Sequence, residues 1–282
     1  MTVRTIAVLG AGTMGHGVAH AAAASGFATR LYDVSEALVT RARGTIDGIL
    51  RKAVDLGKTT TADADAAMAR LVTTADVAAA LADVDLVIET APERMDIKIA
   101  LFAAIDAHAP ASAVVASNTS ALSITEMAGT LKDPSRVAGM HFFNPVHKMK
   151  LIEIVRALES GDRALDTIES VARQMGKETV LVREAPGFIT TRVNASIGNE
   201  AFYMLMEGVA SARDIDKALK LGLNHPMGPF ELVDLVGLDT RLSILEYLHK
   251  SLGEKYRPCP LLSQYVKAGR LGKKVGKGVY DY

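Results

Sequence analysis

The sequence predicts an α/β fold, a doubly wound, mostly parallel sheet of Rossmann type followed by an all-helical C-terminal domain. Three observations predict it. Short β-rich runs alternate with helical segments through the first two thirds of the 282 residues, the pattern of a parallel sheet covered by helices on both faces. The first run breaks straight into Gly10-Ala11-Gly12-Thr13-Met14-Gly15 and then into an alanine-rich helical stretch, Val18 to Ser25. Beyond Ala185-Pro186-Gly187 the signal is nearly all helical. The expected division is 1–184 for the Rossmann domain and 185–282 for a helical domain.

Taken in order, strands are expected at Thr5–Leu9, Thr29–Tyr32, Leu86–Glu89, Val114–Ala116, Arg136–His141, Leu151–Val155 and Thr179–Val182. Helices are expected between several of them, at Ser35–Leu56, Asp63–Arg70, Met95–Ala107 and Arg163–Gly176. Leu86–Glu89 reads as a strand buried on both faces. The helical part divides at turn residues such as Asn224-His225-Pro226-Met227-Gly228-Pro229. Its segments are Phe188–Met206, Ala212–Leu221, Phe230–Leu235, Asp239–Leu252 and Leu262–Ala268. Phe188–Met206 is apolar around much of its girth, so it belongs in a core or against a second subunit.

The glycine turn has a physical reading. Gly10 permits the tight strand-to-helix turn, Gly12 lets a pyrophosphate approach the backbone, and Gly15 lets the helix lie close to the strand. The helix N-terminus then offers N–H donors and a partial positive charge to the phosphates. Asp33 ends the next expected strand, about twenty residues on. Its carboxylate can accept from a ribose diol and repels a 2′-phosphate, so NAD is expected rather than NADP. The expected NAD contacts here are Gly10, Ala11, Gly12, Thr13, Met14, Gly15 and Asp33. A G-x-G-x-x-G alone is weak, since glycines also gather in ordinary turns. Here strand, helix and acid all stand in their places.

Composition narrows the partners. There are 32 Lys+Arg against 32 Asp+Glu, a formal net charge of zero, which argues against a non-specific nucleic-acid binder. No apolar run reaches membrane-spanning length. The lone Cys259 excludes an intrachain disulfide or a cysteine metal cluster, and no metal is expected. The first strand begins within a few residues of Met1, which leaves no space for a leader. A reducing, cytoplasmic setting is the expectation.

Three segments at strand ends carry candidate chemistry. Ala116-Ser117-Asn118-Thr119-Ser120 follows a buried strand, where open α/β sheets bind ligands. It reads equally as a run of helix N-cap residues, because Ser120 and Ser123 precede Ile124 and Glu126. Gly139-Met140-His141-Phe142-Phe143-Asn144-Pro145 ends another strand. Lys150-Leu151-Ile152-Glu153-Ile154-Val155 embeds a carboxylate among apolar residues, and a buried carboxylate needs a partner. A turn at Asn144–Pro145 would let Glu153 meet His141. Such a carboxylate orients the imidazole and raises its basicity. The alternative for Glu153 is a structural ion pair with Lys148 or Lys150.

These stretches, with Glu93-Arg94-Met95-Asp96-Ile97-Lys98, Pro186-Gly187-Phe188, Asn224–Pro229 and Gly272-Lys273-Lys274-Val275-Gly276-Lys277-Gly278-Val279-Tyr280, resemble the short-chain L-3-hydroxyacyl-CoA dehydrogenase family. Its bacterial 3-hydroxybutyryl-CoA members are the most similar. The resemblance spans essentially the whole chain. It implies NAD as cofactor, an acyl-CoA substrate, a role in substrate binding and dimerisation for the helical domain 185–282, and a place in fatty acid metabolism. It also implies that His141 is the base, Glu153 its partner, and Ser120 the residue that binds the substrate 3-oxygen. Asn144 resembles an active-site residue near the nicotinamide, and Glu93, Lys98 and Lys274 resemble further NAD contacts, with Ser120 at both ligands. For the coenzyme A nucleotide the resemblance points to a lysine after Asp33. Arg51, Lys52 and Lys58 are the candidates, each with a solvated helix face as the bland alternative. Where the family carries Pro-Gly-Phe-x-x-Asn-Arg, this chain has Thr191 in the asparagine slot.

Two other readings compete. A lysine-dependent 3-hydroxyacid dehydrogenase shares the glycine turn, but Phe188–Met206 contains no lysine. A non-catalytic NAD-binding relative is disfavoured by the complete set of His141, Glu153 and Ser120.

Overall fold

The structure, a computed structural model, describes residues 2–282. The chain divides into two compact units, Met1–Glu184 and Ala185–Tyr282.

The first unit is built on eight strands: β1 (Thr5–Leu9), β2 (Ala28–Tyr32), β3 (Leu71–Thr74), β4 (Leu86–Glu89), β5 (Val114–Ser117), β6 (Val137–Phe142), β7 (Leu151–Arg156) and β8 (Glu178–Arg183). They form one sheet in the order β3-β2-β1-β4-β5-β6-β7-β8. Every neighbouring pair is parallel except β6–β7, so β7 and β8 run against the rest. The central strands β4, β5 and β6 are buried along their whole length. That is why their sequences are nearly continuous apolar runs rather than alternating ones.

Seven helices belong to this unit: α1 (Thr13–Ala24), α2 (Glu36–Asp55), α3 (Thr61–Arg70), α4 (Val77–Leu81), α5 (Met95–His108), α6 (Ile124–Ala128) and α7 (Asp162–Gln174). In α2 the buried residues Val39, Ala42, Ile46 and Leu50 fall on one face, the spacing of an amphipathic helix. Ser35 caps it by accepting from Leu38 N at 3.3 Å.

Four local features depart from the sequence expectation. Strand β3 is a four-residue edge strand in which only Leu71 is buried, so it shows no apolar run. Helices α4 and α6 have five residues each, too short for a 3.6-residue period to show. Both begin on side-chain caps, Asp76 and Ser123. Arg136, expected to open β6, instead closes a 3₁₀ turn, Pro134–Arg136. Its guanidinium donates to Asp106 at 3.0 Å and to the carbonyl of Pro110 at 3.1 Å.

The second unit is helical: α8 (Thr190–Met206), α9 (Ala212–Gly222), α10 (Pro229–Val236), α11 (Leu238–Leu252) and α12 (Pro260–Lys267). Phe202, Phe230, Leu245, Leu248 and Leu262 lie in its core. Two buried aspartates bind the end of the chain to the bundle. Asp234 accepts from Val279 N, Tyr280 N and the Tyr282 hydroxyl. Asp216 accepts from Phe230 N, Glu231 N and the Tyr280 hydroxyl. Both tyrosine hydroxyls are pushed well above their ordinary range, first by burial and then by these carboxylates. The smaller unit carries most of the exposed large apolar side chains, including Ile189, Val193, Met206, Leu221 and Leu235. Among the described residues no helix is long and apolar enough to cross a membrane.

Candidate active site

The site is assembled at the carboxyl ends of β1, β2, β4, β5 and β6. Parallel pairing of β1 with β2 sets Leu9 beside Tyr32, so Gly10 and Asp33 leave the sheet side by side. Asp33 closes the glycine turn: Oδ2 accepts from Ala11 N at 2.7 Å, and Oδ1 accepts from Val34 N at 2.7 Å. Each carboxylate oxygen has a second lone pair left to accept from a ribose hydroxyl.

The turn fits a dinucleotide. A Cβ on Gly15 would stand 1.7 Å from the Gly10 carbonyl oxygen, whereas one on Gly12 would meet nothing within 4 Å. Gly15 is thus needed for packing, and the open side of Gly12 leaves room for a phosphate group. Among the described residues no side chain caps α1, and no acid lies in its first turn. Its N-terminal donors are therefore available to an anion. Thr13 and Met14 supply the first two residues of that helix.

At the other end of the site, antiparallel pairing sets His141 of β6 opposite Glu153 of β7. Directly opposite residues share a face. Glu153 Oε2 lies 2.7 Å from His141 Nδ1, and both side chains are buried. A carboxylate in this position takes the Nδ1 proton in a hydrogen bond, which leaves Nε2 with its lone pair. Nε2 in turn lies 3.1 Å from Ser120 Oγ. The three segments read separately in the sequence thus meet as a relay, Ser120–His141–Glu153. This decides between the two readings of the serines: Ser123 caps α6 by accepting from Glu126 N, while Ser120 faces the imidazole. It also decides for Glu153, which pairs with the histidine across the sheet. Asn144 lies exposed on the bend that follows β6. Asn118 Oδ1 accepts from Phe142 N at 2.9 Å, joining the β5 end to β6.

Beneath the relay lies a network that the sequence reading missed. Glu93 Oε1 accepts from the Thr119 hydroxyl at 2.6 Å, Ser120 N at 2.9 Å and Ala121 N at 3.1 Å. It clamps the loop that carries Ser120. Lys98 is 1% exposed and Glu89 0%. Lys98 Nζ donates to Glu89 Oε1 at 2.7 Å and to Ala91 O at 3.2 Å, and lies 3.5 Å from Glu93 Oε2. Glu89 Oε2 accepts from Ser117 Oγ at 2.6 Å. Lys98 is therefore buried under Glu93 with its ammonium held by Glu89 and the Ala91 carbonyl. A signal was present: Glu89 ends an otherwise apolar buried run, and like Glu153 it needs a partner there.

Lys274 sits in the helical unit with its ammonium 2.6 Å from Asp239 Oδ1. Arg51 is engaged by Asp47 at 3.1 Å and Asp65 at 2.8 Å, so its charge is already matched. Lys52 and Lys58 are exposed. Thr191 is half-buried in the first turn of α8.

Comparison with known proteins agrees with this geometry. The 3-hydroxyacyl-CoA dehydrogenase NAD-binding domain matches residues 5–185, and the C-terminal domain of the same enzymes matches 187–282. A probable 3-hydroxybutyryl-CoA dehydrogenase of Bacillus subtilis is 44% identical over 100% of this chain and 98% of its own length. The 3-hydroxybutyryl-CoA dehydrogenase of Bradyrhizobium diazoefficiens is 43% identical over 99% and 96%. The crystal structure of (S)-3-hydroxybutyryl-CoA dehydrogenase from Ralstonia eutropha superposes with a TM-score of 0.95 at 40% identity, over 100% of this chain and 99% of that one. A glycine turn that fits NAD, a buried histidine–carboxylate pair across β6 and β7 and family matches over both units lead to one conclusion: the chain belongs to the NAD-dependent 3-hydroxyacyl-CoA dehydrogenase family.

Proposed function

We propose that the chain oxidises (3S)-3-hydroxyacyl-CoA, with 3-hydroxybutyryl-CoA as the short-chain substrate, reversibly to the 3-oxoacyl-CoA, acetoacetyl-CoA in that case. The observation that carries this reading is the Ser120–His141–Glu153 relay. NAD, when bound, supplies the two-electron acceptor for the hydrogen on C3. Gly10–Gly15 and Asp33 would hold it. His141 Nε2 takes the proton of the 3-hydroxyl group. Glu153 stabilises the resulting imidazolium without itself taking the proton. The Ser120 hydroxyl donates to the 3-oxygen and fixes its direction toward Nε2. In the reverse direction the same histidine gives the proton back. Following absorbance at the NADH band with acetoacetyl-CoA tests the whole reading. No oxidation of NADH by the pure protein would refute it.

Asn144 and Lys274 are assigned to the nicotinamide side on the family resemblance, and Glu93 and Lys98 act there by holding the Ser120 loop. Lys52 and Lys58 are exposed, and they are assigned to the coenzyme A nucleotide in preference to Arg51, whose charge two aspartates already match. Thr191 takes the asparagine slot with one hydroxyl donor, directly or through a water.

The cofactor preference rests on Asp33. Wild type is expected to favour NADH strongly over NADPH, since a second negative charge beside this carboxylate is repelled. Asp33→Ala should weaken NADH and narrow the gap. Equal kcat/KM for both cofactors in wild type would rule this out.

A homodimer formed through the helical unit accounts for its exposed apolar side chains, and two-fold closure is the usual arrangement. Light scattering at micromolar concentration should return twice the chain mass, and a monomer would contradict it. A cytoplasmic setting fits a chain with one cysteine, buried and free.

A further inference from the structure

Glu184 takes no part in the relay. It follows β8, and its N–H donates to Arg156 O at 2.9 Å, one step beyond the β7–β8 pairing. It is also the last residue of the first unit. Its side chain reaches α6. Oε1 accepts from the Ser123 hydroxyl at 2.7 Å, while Oε2 accepts from Thr125 N at 2.9 Å and from the Thr125 hydroxyl at 2.5 Å. Thr125 Oγ1 accepts in turn from Leu158 N at 3.0 Å. One carboxylate thus ties the ends of β7 and β8 to the first turn of α6.

The place of α6 bears on the relay. With five residues it is too short to be stable by itself, so its surroundings set where it lies. Ser123 already caps it by accepting from Glu126 N at 3.1 Å. Glu184 therefore adds anchorage rather than the cap. A Cβ on Gly139 would stand 2.5 Å from Ile124 Cδ1, so α6 rests on β6 at a point where only glycine fits. Gly139 and His141 are two residues apart on that strand and share a face. Going back along the chain from Ser123, Leu122 alone separates it from Ala121, whose N–H Glu93 holds together with Ser120 N and the Thr119 hydroxyl. The loop that carries Ser120 is thus held by one carboxylate at each end. Hydrogen bonds to carboxylates are about twice as strong as neutral ones, which suits them to fixing a hydroxyl 3.1 Å from His141 Nε2.

We propose that Glu184 is a positioning residue for the dehydrogenase reaction: by holding Ser123 and Thr125 it sets the direction of the Ser120 hydroxyl toward His141 Nε2. This role rests on the function proposed above, and in it Glu184 touches neither substrate nor cofactor. Without the carboxylate, the Ser123 and Thr125 hydroxyls turn to water, and α6 is free to shift on β6. Glu93 still holds the loop at its other end, so Ser120 stays near the imidazole but no longer at a fixed distance and angle. A displacement of about 1 Å at a reacting group is enough to cost about a hundredfold in rate.

Glu184→Ala removes all three contacts. It is expected to lower kcat for acetoacetyl-CoA reduction about ten- to a hundredfold and to leave NADH affinity within about threefold of wild type. Glu184→Gln should restore kcat to within about threefold, since its carbonyl can accept from Thr125 and its amide can donate to the remaining lone pair of Ser123 Oγ. A double-mutant cycle separates placement from general structure. In a Ser120→Ala background, Glu184→Ala should cost less than about twofold, because the group it positions is gone. Thr125→Val, a milder change, should follow the same pattern at about three- to tenfold, and it serves if Glu184→Ala does not fold. The C2–H proton resonance of His141 gives a readout without turnover. Ser120→Ala and Glu184→Ala should shift it in the same direction, and the double variant no further than Ser120→Ala alone. An equal loss of kcat in both backgrounds, or a Glu184→Ala enzyme within about twofold of wild type, overturns the proposal. Wild type that fails to oxidise NADH refutes the dehydrogenase reading instead, and the His141 resonance then still decides whether Glu184 places Ser120.

Discussion

His141→Gln is expected to lower kcat by about 10²–10⁴-fold, the usual worth of a positioned general base, and to leave the affinity for NADH within about threefold of wild type. Glutamine can hydrogen-bond to Glu153 and Ser120, but it cannot accept the hydroxyl proton. The cofactor turn lies on β1 and β2, at other strand ends, so its binding has no cause to change. Glu153→Gln should act through the histidine. It keeps the shape of the 2.7 Å contact to Nδ1 and removes the charge that favours imidazolium. A hydrogen bond to a charged group is worth ~1.5–3 kcal/mol, so kcat should fall about ten- to a hundredfold. Single-turnover kinetics with acetoacetyl-CoA and NADH separate this from product release. If His141→Gln retains activity within about tenfold of wild type, the relay is not the proton-transfer machinery.

The relay is legible in the amino-acid sequence because its parts obey two simple rules. Ser120 and His141 stand at the ends of strands that read as apolar runs, and Glu153 is an acid where burial forbids an unpaired one. What the sequence does not show is register. Nothing local says that His141 and Glu153 fall opposite each other across β6 and β7, rather than one residue apart and on opposite faces. The glycine turn is more fully legible, since each glycine has its own steric reason, and the Cβ distances at Gly12 and Gly15 repeat those reasons in space. The seven expected strands appear at or near their expected bounds, and the edge strand β3 is the one the sequence does not announce. Its exposure, with Val72 57% exposed, leaves no apolar run to detect. Arg51 shows another limit. Its partner Asp47 is an i−4 neighbour and is readable from helix spacing. Asp65 belongs to α3, and only the packing of two helices brings it near. The brace under Ser120 escapes a sequence reading for a third reason: Glu93 acts through backbone N–H groups 27 and 28 residues away, and contacts to backbone leave no residue pattern.

That brace carries the second large expectation. Glu89→Leu removes the nearest charge partner of a lysine that is 1% exposed and leaves Ser117 Oγ and Ala91 N without their acceptor. Breaking one side of a buried pair costs ~3–5 kcal/mol, because the other charge stays behind uncompensated. Lys98 keeps Ala91 O at 3.2 Å and Glu93 at 3.5 Å, so the lower end, ~3 kcal/mol, is the expectation for urea unfolding. Stabilities of folded domains are only ~5–15 kcal/mol, so the loss should be plain in the midpoint. Glu89→Leu/Lys98→Met removes both charges and should recover much of it, since an apolar pair of similar volume carries no desolvation penalty. The double variant should nevertheless lose kcat, because Glu93 then holds Thr119, Ser120 and Ala121 without Lys98 behind it, and the Ser120 hydroxyl is less firmly placed over His141. Stability and activity are thereby separated. Recovery of the midpoint without recovery of kcat marks Lys98 as a positioning residue for the serine loop. Recovery of both would reduce the network to a structural ion pair, and a double variant as unstable as the sum of its parts would show that Glu89 and Lys98 are not coupled.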